Sequence, residues 1–182
     1  MSARRALKAA EVRAALSVPF QHGLAVDFRN CDVVDPLDLS GMVLPGCDFT
    51  DVLFNQRFCA RGAIFKGLAW FRYVKFAEGC DVRGALFESD GRFDDATIAG
   101  VADFSQVECR GVMMLDRAKV SGKLTLTGST VFGNLSMAAI RLDGPTDLSG
   151  LTCFGGLWQA GAQFAERPLQ AGAEIFGRTL MT

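Results

Sequence analysis

The stretch VSGKLTLTGSTVFGNLSMAAIRLDGPTDLSG, residues 120–150, decides the fold. Gly122, Gly133 and Gly144 stand eleven residues apart, with Val120, Val131 and Leu142 two places before them. The period extends well beyond this stretch. Cut into elevens from Gly62, the chain yields eleven blocks that reach Thr182 without an insertion. The fourth column runs Phe65, Phe76, Phe87, Ile98, Cys109, Val120, Val131, Leu142, Cys153, Phe164, Ile175, and every member is apolar. The tenth column, with Phe71, Phe93, Phe104, Leu126 and Leu148, is apolar until Gln159 and Gln170. Two places before each large residue lies a mostly small one, such as Ala63, Ala85 or Ala102.

A helical period of 3.6 cannot hold these columns on one face, whereas a small and a large residue two apart point the same way on a strand. Each block therefore holds two short units with a large inward residue, spaced alternately five and six. A repeat of this length implies a solenoid, in which each unit buries its apolar face only against its neighbours. The expected core is Phe65, Phe71, Phe76, Phe87, Phe104, Leu126, Leu142 and Leu148.

Upstream the spacing is five, in LDLSG, MVLPG, CDFTD and VLFNQ, with Leu39, Leu44, Phe49 and Phe54 as the large residues. With CDFTD, ADFSQ (102–106) and TDLSG (146–150), the chain resembles the pentapeptide-repeat family, over roughly residues 37–182. The resemblance implies an all-β fold, a right-handed four-sided parallel β-helix with the small and central residues of each unit turned inward. The six-residue steps depart from that family and imply 22-residue coils. The domain reading is a capping helix within 1–20 and a β-helix over 21–182, with five-residue repeats at 37–61 and eleven-residue repeats at 62–182. The rod is expected to stand about 30 Å tall, at about 4.8 Å per coil.

The recurrent glycines, Gly100, Gly111, Gly122, Gly133, Gly144 and Gly155, fall in the longer corners. The expectation is that they adopt positive φ there, which glycine reaches without a Cβ clash. A phosphate loop is rejected: SGKL at 121–124 imitates the end of one, but the glycine required five places before Gly122 is Arg117. Residues 3–16 read as an Ala-rich helix ended by SVP at 17–19, capping the first coil. At the other end the pattern runs to Thr182 with no cap in the sequence, which leaves three readings: the end faces a partner, the native chain continues, or the last blocks fold back.

The 49% hydrophobic content contains no run of the 18 or so apolar residues that a membrane span needs. Arg4 and Arg5 are followed by no apolar stretch that would make a signal sequence. A net charge of −1 predicts no direct nucleic-acid binding. Cys31, Cys47, Cys59, Cys80, Cys109 and Cys153 form no CxxC pair, and His22 is the only imidazole, so no zinc site or other cofactor is expected. The cysteines read as reduced packing residues of a cytoplasmic protein. Asp81, Asp103 and Asp147 share a column, with Thr125 in the gap, and read as residues that bond the corner backbone rather than a cation. No catalytic constellation appears, so no enzyme is expected.

Charge falls in bands: acidic over 21–55, basic over 57–83, acidic over 88–108, basic over 110–123. The expectation is stacked coils that pair opposite charges; the alternative is a patterned docking surface. The sharpest surface feature is Phe132, Phe154 and Phe176, one coil apart in an outward column where earlier coils carry Lys66, Glu88 and Arg110. With Ile175 and Met181 of the last coil they form a candidate interface, for an unidentified protein partner or for a homodimer through the C-terminal coils; the alternatives are packing under the chain's own tail and a stripe without a role. The functional reading is a non-enzymatic protein-interaction scaffold. The alternative, implied by the family resemblance, is a DNA-mimicking inhibitor or protector of a type II topoisomerase such as gyrase, which the basic bands disfavour.

Overall fold

Two-residue strands are too short to hold a sheet with their sequence neighbours, so each pairs with its counterpart one coil away. The computed structural model describes residues 4–181. Four parallel sheets form the sides of the rod. Face 1 runs from Arg5–Leu7 through Cys31–Val33 to Gln163–Phe164, face 2 from Leu37–Asp38 to Thr146–Asp147. Face 3 runs from Val43–Leu44 to Glu174–Ile175, and face 4 from Ala25–Asp27 to Thr179–Leu180. The chain visits faces 1, 2, 3 and 4 in turn. Face 1 contains eight strands, so the rod is about 34 Å tall at about 4.8 Å per strand.

The register is the one that the columns require. Lys75 pairs with Thr97, Thr97 with Lys119 and Lys119 with Arg141, each step 22 residues. The lowest coil is shorter: Leu37 pairs with Phe58 and Val43 with Ile64, 21 residues on. This corrects the expectation of five-residue repeats throughout 37–61. Steps of five hold from Leu39 to Phe54, but the next inward residue is Ala60, six places on, and it is fully buried. Residues 21–36, where no repeat is legible, also build coil through strands Ala25–Asp27 and Cys31–Val33.

The N-terminal segment differs from the expected helix over 3–16. Residue 3, like Thr182, lies outside the described residues. Arg5–Leu7 is a strand that pairs with Cys31–Val33 and buries Leu7. Helix α1 covers only Ala9–Leu16. It starts where the Lys8 backbone N–H donates to the Glu11 carboxylate at 2.7 Å, satisfying a donor that the first turn leaves free. Val12 and Leu16, four apart on one face of α1, are fully buried and close the core.

All eight expected core residues are buried. Large side chains repeat coil by coil, so their rings stack: Phe49–Phe71 at 5.2 Å, Phe71–Phe93 at 4.7 Å and Phe65–Phe87 at 4.6 Å between centroids. Above Phe104 the same columns pass to aliphatic residues such as Leu115, Leu126 and Val131.

The corners are of two kinds. Between faces 2 and 3, and between faces 4 and 1, the step is five residues and a four-residue turn closes it, as in Ser129 N–H to Leu126 C=O at 3.1 Å. The third residue of these turns has positive φ. It is mostly glycine on the 2/3 edge (Gly62, Gly84, Gly128 and Gly150, with Gln106 the exception) and mostly another residue on the 4/1 edge (Tyr73, Asp95, Arg117 and Ala139, with Gly161 the exception). The six-residue corners, edges 1/2 and 3/4, contain the glycine column, and there the expectation of positive φ fails. None of Gly100, Gly111, Gly122, Gly133, Gly144 and Gly155 has positive φ. Their reason is space. A Cβ on Gly133 would lie 2.5 Å from the Gly111 carbonyl oxygen, and one on Gly155 would lie 2.3 Å from that of Gly133. The same backbones are hydrogen-bonded, Gly133 N–H to Gly111 C=O at 3.0 Å, so the contact cannot open without losing that bond.

Two stability outcomes follow. Leu126→Asp places an unpaired carboxylate in a stacked interior column and is expected to cost several kcal/mol, whereas Thr127→Asp, one residue further on, costs under about 1 kcal/mol; equal melting temperatures would overturn the register. Gly133→Ala is expected to destabilise by more than about 2 kcal/mol because the obstacle is backbone, while Gly84→Asn, in open space at positive φ, costs about 1 kcal/mol or less. The reverse order in thermal melts would restore φ as the cause of the glycine column.

Candidate interaction surface

The outward columns account for the charge bands. Opposite charges one coil apart face each other: Lys66 and Glu88 at 3.5 Å, Arg72 and Asp94 at 2.8 Å, Arg117 and Asp95 at 2.7 Å, Lys123 and Asp147 at 3.4 Å. Asp94 is almost wholly buried between Arg72 and Arg92. Burial opposes its ionisation, but the two guanidiniums outweigh that and hold its pKa below the usual carboxylate value.

The aspartate column of face 2 serves the corners. Asp103 accepts the Ser105 backbone N–H at 3.0 Å and Asp147 that of Ser149 at 3.1 Å, while Asp81 takes Arg83 N–H at 3.3 Å. Hydrogen bonds from Ser149 hold Asp147 below its ordinary value. Among the described residues no group of three or more His, Cys, Asp or Glu is placed to hold a metal ion. The six cysteines are buried and unpaired. Burial pushes Cys109 up to about 11 and raises Cys47 and Cys80, so these thiols stay protonated at neutral pH. His22 lines a surface hollow beside Phe20, Leu24 and Leu68.

The phenylalanine ladder forms as its spacing requires. Phe132, Phe154 and Phe176 follow the face 3 strands on edge 3/4, beside Gly133, Gly155 and Gly177. Their rings stack at 5.2 and 5.3 Å, 15° and 10° from parallel. They are 48%, 49% and 64% exposed. Trp158 and Leu180 of face 4 add further exposed apolar surface in the same coils.

Ile175 and Met181, the other candidate interface residues, do not join the ladder. They line a hollow of about 310 Å³ at the C-terminal end of the rod, with Leu148, Leu151 and Leu157. Gln159, only 3% exposed, lines it too, and its Nε2 has no hydrogen-bond partner. Gln159 occupies an interior position that Phe93, Leu115 and Met137 fill in the coils below.

A second apolar area was not legible in the sequence. The loop after α1 lies against the lower part of edge 3/4. A Cβ on Gly67 would meet the Phe20 ring at 2.9 Å, and Leu24, Gly67 and Leu68 border one hollow. Val18, Phe20, Leu24 and Leu68 are exposed. The string SVPFQHGL has no repeat register, so only its apolar content could have hinted at this packing.

No curated protein matches the chain. The family model for pentapeptide repeats (9 copies) matches residues 60–108, the coils below the ladder. Four parallel sheets, inward small and large residues and one-coil ladders continue on both sides of that segment, so the described chain is built throughout as the matched pentapeptide-repeat segment is.

Proposed function

We propose that the protein is a non-enzymatic protein-interaction scaffold whose docking surface is the upper part of edge 3/4. The observation that carries this reading is the exposed, mutually stacked ladder of Phe132, Phe154 and Phe176. Contiguous exposed apolar surface on a soluble domain marks a contact, and aromatic side chains dominate the energy of such contacts. Covering the three rings, at about 100 Å² each and about 25 cal/mol per Å², supplies on the order of 7 kcal/mol before association costs. A contact that reached over the last coil would also cover Ile175 and Met181.

A non-catalytic role is supported by what the polar groups already do. The aspartates bond corner backbone or face arginines, and the raised thiols are poor nucleophiles. Buried, unpaired cysteines suit a reducing, cytoplasmic setting. DNA mimicry toward a type II topoisomerase draws less support, because exposed Lys75, Lys119 and Arg141 form a column along face 1.

The test offers tagged protein on beads a soluble extract supplemented with the untagged protein. The expected outcome is at least one polypeptide, the protein itself included, held by the wild type and depleted about tenfold on Phe154→Ser/Phe176→Ser, with matching melting temperatures. Identical retention on both would remove the ladder as a docking surface.

A further inference from the structure

We propose that the occupant of this surface is a second copy of the chain, lying side by side and antiparallel along edge 3/4. The inference rests on the ladder being a docking surface, and it adds the partner and its orientation. Edge 3/4 has three zones. At the bottom are Val18, Phe20, Leu24 and Leu68. In the middle, one coil apart, come Lys66, Glu88 and Arg110 in the outward column. At the top, in the same column, stand Phe132, Phe154 and Phe176.

A two-fold axis across the edge, between the coils of Glu88 and Arg110, exchanges these zones. Counting coils upward from Lys66, it sets the first against the fourth and the second against the third. Phe132 then meets the partner's Lys66 coil, where Phe20 lies on Gly67. Phe154 meets the level below, where Val18 borders Val43 and Pro45, and Phe176 meets the next, where Leu24 lies one coil under Gly46. Glu88 meets Arg110, and the symmetry makes that pair twice, as an isologous contact requires. A parallel arrangement would instead set Glu88 against Glu88. Within one chain Glu88 faces Lys66 at 3.5 Å and Arg110 faces Glu108 at 3.0 Å, and Arg110 remains half exposed. Four top and bottom apolar zones, at roughly 300 Å² each, bury on the order of 1,200 Å² in total, which reaches the lower range of stable interfaces.

The test is sedimentation or light scattering across a dilution series on the full chain. The expected result is a dimer that Leu24→Ser weakens. Glu88→Arg and Arg110→Glu, each placing like charges together, are expected to raise the dissociation constant about tenfold, and the double swap returns it to within about threefold. All variants keep the fold, since the replaced side chains lie outside the core, and their melting temperatures agree with the wild type to within a few degrees at dilutions where every chain is monomeric. A wild-type monomer up to about 100 µM overturns self-pairing while leaving the extract experiment to judge the docking surface on its own. A dimer indifferent to both single swaps overturns the antiparallel placement, because a contact through the rod's end leaves Glu88 and Arg110 remote.

Discussion

The hydrogen bond from one coil to the next governs the rest of this structure. Phe132 N–H reaches Cys109 C=O at 2.9 Å, and Gly133 N–H reaches Gly111 C=O at 3.0 Å. Because these bonds must recur on all four sides, each coil has to return to the same point after the same number of residues. That closure turns sequence periodicity into vertical columns. Interior columns become stacks of rings and aliphatic chains, outward columns become charge ladders, and the tightest corners exclude any side chain at all.

Much of this was legible because the period is a property of the chain. The positions of Phe65, Phe87 and Leu126 follow from spacing alone, and so does the stacking of Phe132 on Phe154. The cause of the glycine column was not legible. A recurring glycine fits either a backbone turn that needs positive φ or a backbone approach that tolerates no Cβ, and the spacing is identical for both. The turn residues themselves were hidden, since Tyr73, Asp95 and Arg117 accept positive φ without being glycine.

The N-terminal part was harder for a different reason. Arg5–Leu7 is an edge strand only because Cys31–Val33 offers it a partner, and three residues have no period of their own. Residues 21–36 belong to a 21-residue coil, with Val26 paired to Cys47 and Asp32 to Leu53, so their columns fall out of step with the blocks above. The seating of Phe20 on Gly67 depends on a corner with no side chain of its own, which is a tertiary fact. The candidate surface was therefore half readable, with its upper zone in the repeat and its lower zone in a loop.

The two kinds of corner alternate around the rod, so half a coil carries one of each. This makes the length of the protein a quantised evolutionary variable. Gain of 22 residues by duplication lengthens the rod by one storey and leaves every column intact. Gain of eleven also preserves strands, turns and glycine corners, because edges 1/2 and 3/4 have the same geometry. It nevertheless turns everything above the insertion by half a revolution. A ladder such as that of Phe132, Phe154 and Phe176 would then emerge on the opposite edge with its chemistry unchanged, so that a single recombination event relocates a binding surface without remaking it.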